Sequence, residues 1–284
     1  MSNPCGARVA SIPPYRSPIL LLSRGSPRFH IEMEDLTYLT LAAYAAIMLC
    51  AGLVHGTLGL GFPLVATPLL ALFIDVRSAI LITLLPTVAV NVISIFRGGK
   101  WRDSIGRYWP LAVYAVAGGA VGTRLLVVND PAPFKLLLAG LVLLYLFASQ
   151  AGALRMHWVR EHLGPSMLVF GLIAGLAAGT TNVMVPILII YTLELGLQRT
   201  AMVQVFNLCF LAGKLTQIAV FSEAGLLTGK LLLSTAPLAI VGVAALFAGM
   251  LLRDRIPTEI YRNIVRRVLF LLAFLLIAQY FIQS

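Results

Sequence analysis

The chain of 284 residues is 60% hydrophobic and 11% charged, with a mean hydropathy of +0.93. A water-soluble domain carries about 25% charged residues, so that class is excluded. The net charge of +10 fits the usual excess of Lys and Arg in cytoplasmic loops and argues against nucleic acid as a partner.

Apolar runs near spanning length fill the chain, which predicts an all-α polytopic membrane protein in a lipid bilayer, with no room for a soluble domain. Cys5, Cys50 and Cys209 are three in number. They read as small core residues, and neither a disulfide framework, a metal site nor a cofactor is expected. Residues 1–35 differ from the rest, with Pro4, Pro13, Pro14, Pro18 and Pro27 among Arg8, Arg16, Arg24 and Arg28. The apolar piece 19–22 is too short for a signal-peptide core. A disordered tail is expected here. Translation from Met33, with Glu34 and Asp35 leading into the first span, is the alternative.

The first span is predicted over 36–57. A break rich in Gly56, Gly59, Gly61, Pro63 and Pro68 follows, with a short run over 62–74. Thr67 and Pro68 suit N-cap and first-turn positions. Longer segments follow over 79–96, 108–128 and 134–150, the second of them carrying Gly118, Gly119 and Gly122 for close packing. The loop 151–164 joins two halves, 36–150 and 165–284, read as membrane repeats. In the second half a broken stretch, Gly175-Leu-Ala-Ala-Gly-Thr-Thr-Asn-Val-Met-Val-Pro186, precedes a short run over 183–195. Thr180, Thr181 and Asn182 are expected to cap that run. Segments over 200–221, 231–252 and 267–281 complete the chain.

The order of motifs repeats. Gly52-Leu-Val-His-Gly56 answers Gly171-Leu-Ile-Ala-Gly175, Pro68-Leu-Leu answers Pro186-Ile-Leu, Arg77-Ser-Ala79 answers Arg199-Thr-Ala201, and Asp130-Pro131 answers Ile256-Pro257. Such duplication with broken segments is a pointer to a transporter site. If the short runs cross, there are ten segments and the halves are inverted. One side then collects Arg97, Lys100, Arg102, Arg107, Arg155, Arg160, Arg199 and the 253–267 cluster, and the other keeps Arg77, Arg124, Lys135 and Lys230. If they re-enter, there are eight and the halves are parallel, which spoils that asymmetry.

Lys214 sits inside an apolar segment, where an ammonium costs about 3 kcal/mol or more unless it meets a partner or a cavity. At 100° per residue, Asn207 shares its direction, with Gln204 and Gln217 on either side. Thr83, Thr87, Asn91 and Ser94 form a comparable arc beside Pro86 in the first half. Two readings stand for both stripes: a shared polar cavity that lines an anion pathway, or a snorkelling lysine and polar groups that glue helices together. Thr57, Gly59 and Gly61 at the first break, and Thr180, Thr181 and Asn182 at the second, are candidate anion donors alongside half-helix N–H groups. His55 is a candidate proton relay or a structural residue. Glu194 and Asp75 close the short runs and read as interface markers. No metalloprotease, phosphate-loop or clustered-carboxylate pattern is present, so no enzyme is expected and ATP cannot drive the chain.

The duplicated Gly-rich break, above all Ala51-Gly-Leu-Val-His-Gly-Thr-Leu-Gly-Leu-Gly-Phe-Pro-Leu-Val-Ala-Thr-Pro68, the basic Arg97-Gly-Gly-Lys-Trp loop and the Gly118 to Gly122 helix resemble the TauE/SafE family over roughly residues 39–280. The resemblance implies a multi-spanning inner-membrane carrier of sulfite, sulfonates or related organic anions, driven by an ion gradient. Where that family carries runs of consecutive glycines, this chain reads Gly59-Leu-Gly61-Phe-Pro and Gly179-Thr-Thr-Asn, which points to a remodelled site. The expectation is a secondary transporter of a small anion, with Lys214 as counter-charge, coupled to H+ or Na+, of open oligomeric state. The alternatives are a membrane enzyme acting on lipid, and a channel or scaffold subunit.

Overall fold

A computed structural model describes residues 38–97, 101–152, 154–253, 255 and 258–283. The tail expected over 1–35, Met33, and the Ile256-Pro257 half of one repeat match lie outside the described residues. Eleven helices are present among those described: α1 (Tyr38–Leu58), α2 (Phe62–Ala71), α3 (Val76–Arg97), α4 (Trp101–Val128), α5 (Ala132–Ala151), α6 (His157–Glu161), α7 (Leu163–Thr181), α8 (Val185–Glu194), α9 (Arg199–Glu223), α10 (Gly229–Arg253) and α11 (Thr258–Gln283). Eight are long and apolar enough to cross a membrane. The other two apolar helices, α2 and α8, have ten residues each. That is a length of about 15 Å, half the hydrocarbon thickness. The series long, short, long, long, long thus occurs twice, with α6 at the joint.

Small residues decide the helix pairs. A Cβ on Gly175 would lie 2.1 Å from Ala115 O, one on Gly118 2.1 Å from Leu172 O, and one on Gly56 2.2 Å from Leu246 O. Only glycine permits such backbone approach. The first helix of each half therefore packs on the fourth of the other, α4 on α7 and α1 on α10. The third packs likewise, α9 on α4 and α3 on α10, while α5 meets α11 and α3 meets α9.

These contacts fix the direction of each helix. Gly118 faces Leu172 and Gly122 faces Leu176, so α4 and α7 are parallel. Ser104 bonds Gln204, and Arg124 pairs with Glu223 at 3.4 Å, so α4 and α9 are parallel too. Hence α7 and α9 run the same way, and the segment holding α8 carries the chain back between them. In the first half His55, near the end of α1, meets Ser94, near the end of α3, at 2.9 Å. Those helices are also parallel, and α2 carries the chain back. Lys135 at the start of α5 reaches Gln279 near the end of α11 at 3.4 Å, which makes that pair antiparallel. The result is ten passages with the halves inverted.

One end of the bundle gathers Arg102, Arg107, Arg155, Arg160, Arg199, Arg253, Arg255, Arg262, Arg266 and Arg267, against Arg77, Arg124, Lys135 and Lys230 at the other. We term these the basic end and the far end. Two arginines cap helix C-termini, where a cation is favoured. Arg77 donates to Leu126 O at 2.7 Å and Asn129 O at 2.6 Å, below α4, and Arg199 to Leu58 O at 3.5 Å, below α1.

Several boundaries differ from the sequence reading. Helix α2 starts at Phe62, with Gly61 as N-cap at φ 101° and Pro63 in its first turn. Thr67 and Pro68 therefore lie inside it, because the left-handed glycine offers an earlier start. Helices α4 and α11 begin at Trp101 and Thr258, ahead of the expected 108 and 267. Near these starts lie exposed Arg102 and Arg262, charges that a helix end outside the apolar layer tolerates.

Candidate functional site

The two breaks place the site. Helix α7 ends at Asn182, which takes the left-handed conformation at φ 65° while its N–H bonds Ala178 O. Asn182 is thus the C-cap of α7 and not an N-cap of α8, whose N-cap, Met184, makes no side-chain cap bond. Thr180 and Thr181 stay within α7 and donate to Leu176 O and Ala177 O, each at 2.8 Å. The expected capping of the second short run by these three residues is therefore corrected. A threonine still inside a helix finds the carbonyl four residues back more easily than the next helix's N–H. Thr57 behaves alike, donating to Leu53 O and Val54 O at 3.0 Å.

Two polar layers follow. The one nearer the far end is built around the second break. Asn182 Nδ2 donates to Thr67 Oγ1 at 2.8 Å and to Thr83 Oγ1 at 3.1 Å, joining the break to α2 and α3. Lys214 Nζ donates to Gln217 Oε1 at 2.6 Å, and Gln217 Nε2 donates to Ala178 O at 3.0 Å. Lys214 is 2% exposed, and among the described residues no carboxylate pairs with it. It stands about 14 Å along α9 from Glu223, too deep for its stem to reach the far interface.

The layer nearer the basic end is built around the first break. Asn207 Nδ2 donates to Gly59 O at 3.2 Å and to Val203 O at 2.8 Å. Gly59 itself has φ 83°. His55 Nδ1 accepts from Phe62 N–H at 3.3 Å, so its proton lies on Nε2 and is donated to Ser94 Oγ at 2.9 Å. The imidazole thus ties α1, α2 and α3 together at the break. Gln204 bonds Ser104 on α4.

Between and within these layers lie atoms with no hydrogen-bond partner among the described residues: Thr87 Oγ1, both amide atoms of Asn91, and Asn207 Oδ1. All three residues are at most 1% exposed. A buried polar atom without a partner costs about 1–3 kcal/mol, so such a group needs a reason. Four of them on two adjacent helices are what a site for a small polar ligand leaves when empty of protein partners.

Of the residues picked out in the sequence, the structure brings Lys214, Gln217, Asn182 and Thr83 to one layer and Asn207, Asn91 and Gly59 to the other, with Thr87 between. Gly61 begins α2. The hydroxyl hydrogens of Thr57, Thr180 and Thr181 are taken up by their own helices. Sequence reasoning missed Ser104, which lay in a stretch assigned to a basic loop. It also missed Tyr191 of α8, whose buried hydroxyl makes no hydrogen bond among the described residues; its one signal is to be the sole tyrosine in a short apolar run. Glu194 is buried and structural. Its carboxylate accepts from Leu154 N–H and, at 2.9 Å, from Met156 N–H, and its backbone oxygen from Arg160.

The family model described as Sulfite exporter TauE/SafE matches residues 44–276, which takes in both breaks and both polar layers. No curated protein and no solved structure matches the chain.

Proposed function

Because the chain belongs to the TauE/SafE family, and is thus a multi-pass membrane transporter, we propose that it is a secondary carrier of a small anion such as sulfite, a sulfonate or another organic anion. The two halves act as inverted repeats, with the site between their breaks. The observation that carries this reading is Lys214: a buried ammonium with an amide as its only hydrogen-bond partner among the described residues. An uncompensated cation within an apolar layer is costly unless a counter-charge comes and goes with function.

Lys214 neutralises the anion. Gln217, Thr83 and Asn182 orient it at the far layer, and Thr87, Asn91, Asn207 and Gln204 face the rest of its path. The uncapped start of α8 adds N–H groups with partial positive charge. Alternating access comes from rocking one half against the other, each break loosening the layer it belongs to. The basic end faces the cytoplasm and the membrane is the inner membrane.

The test is charge movement in sealed proteoliposomes on a solid-supported membrane, challenged with sulfite, sulfate, taurine, an alkyl sulfonate and a carboxylate. A transient specific to one sulfur anion is expected. Silence for the whole panel, together with silence in tracer uptake, contradicts the reading.

A further inference from the structure

Most arginines of the basic end need no more than topology to explain them. Two on α11 are set apart by their depth. At the far end Lys135 Nζ meets Gln279 Oε1 at 3.4 Å, and Gln279 Nε2 donates to Leu72 O at 3.0 Å. This polar level marks the far boundary of the apolar layer. From Gln279 back to Arg267, α11 rises about 18 Å. The hydrocarbon of a bilayer is about 30 Å thick. Arg266 and Arg267 therefore root inside the layer, and both fall within the apolar span Arg262–Ile282.

The protein gives them no counter-charge there. Arg267 is exposed, and Arg266 is half-buried with Asn263 Oδ1 as acceptor at 3.4 Å. Among the described residues no carboxylate pairs with either, the one ion pair being Arg124 with Glu223 at the far end. Val265, Leu269, Leu272 and Leu276 are buried, and so set the inward face of α11. At 100° per residue, Asn263, Arg267, Phe270 and Phe274 fall within about 60° of one another on the opposite face, with Arg266 at the edge. Phe270 and Phe274 are exposed. Charge at the basic end thus runs directly into an aromatic track facing lipid. A guanidinium placed so climbs toward the headgroups and draws a phosphate down to it. Its planar fork binds phosphate through two parallel N–H bonds.

We propose that Arg266, Arg267 and Asn263 hold the phosphate of an anionic phospholipid from the leaflet at the basic end, with an acyl chain along Phe270 and Phe274. A zwitterionic headgroup carries its own cation beside the phosphate, which offsets the attraction, so the site selects an anionic lipid. A free phosphate leaves the aromatic track unused. Neither the transported anion nor Lys214 enters this site.

The experiment is native mass spectrometry of the purified full chain in detergent, titrated with phosphatidylglycerol or with phosphatidylcholine of the same acyl chains. The first phosphatidylglycerol is expected to bind about tenfold or more tightly than phosphatidylcholine. The Arg266→Gln/Arg267→Gln protein should bind the two lipids alike. The Arg102→Gln/Arg107→Gln protein, which loses the same charge at the same end, should keep the wild-type preference. Arg267→Gln alone gives up no protein hydrogen bond among the described residues, so it should fold as wild type and still lose most of the preference. Excess glycerol phosphate, a headgroup without chains, should not displace the lipid. Equal binding of both lipids by the wild type overturns the site, as does a preference that survives Arg266→Gln/Arg267→Gln. A preference lost equally in both double variants overturns it in favour of diffuse charge, and displacement by glycerol phosphate overturns the acyl contact.

Discussion

Glu194 and Lys214 are both buried charges, yet their surroundings differ. Glu194 is satisfied by backbone N–H groups from the connection between the halves. Among the described residues Lys214 has only the Gln217 amide. The first arrangement is what a structural charge requires, and the second is the one on which the proposed anion site rests. Glu194→Ala should cost about 1–3 kcal/mol, since it strands two N–H donors. Denaturant unfolding in detergent measures this, and the order of preference among transported anions should stay unchanged. His55 is likewise spent on structure, with both ring nitrogens bonded. His55→Phe keeps the volume but removes both bonds, and should also lower stability by about 1–3 kcal/mol in the same assay.

At the scale of the element, glycine positions separate tight contacts from open ones. A Cβ on Gly175 would meet Ala115 O at 2.1 Å, whereas one on Gly140 would meet nothing within 4 Å. Gly175→Ala must push α7 from α4 and should destabilise by about 1–3 kcal/mol. Gly140→Ala, in the interior of α5, should stabilise by up to about 1 kcal/mol. Paired melting curves in detergent check both signs. The sequence reading found this close approach because small residues four apart must share a face. It found the breaks because Gly59, Gly61, Pro63 and Asn182 interrupt apolar runs. It misread the capping at both breaks, since Thr180 and Asn182 can serve the end of one helix as well as the start of the next. Local sequence does not say which. The polar stripes on α3 and α9 were legible from 100° spacing, but their division into two layers was not. That division comes from contacts over long separations, such as Asn182 with Thr83 and Asn207 with Gly59.

For the whole molecule, parallel α1 and α3, and parallel α7 and α9, require each short helix to return the chain. Both α1 and α11 then have their outer termini at the far end, opposite the arginine-rich connections. Alkaline phosphatase fused to the C-terminus should be active outside the cytoplasm, and fused after Gln150 it should be inactive. The reverse pattern contradicts the orientation. Inversion also explains why each break is held by the other half: Asn207 of α9 holds Gly59, and Asn182 holds Thr83 of α3. On the proposed rocking motion, opening either end would break one of these cross-half contacts.

The most direct test of anion transport past Lys214 is exchange of ³⁵S-sulfite across proteoliposomes carrying wild type or Lys214→Gln protein at equal amounts. The account predicts saturable exchange in the wild type and, for Lys214→Gln, exchange at the level of protein-free liposomes, with the variant still monodisperse. Exchange by Lys214→Gln at the wild-type rate and affinity would contradict it.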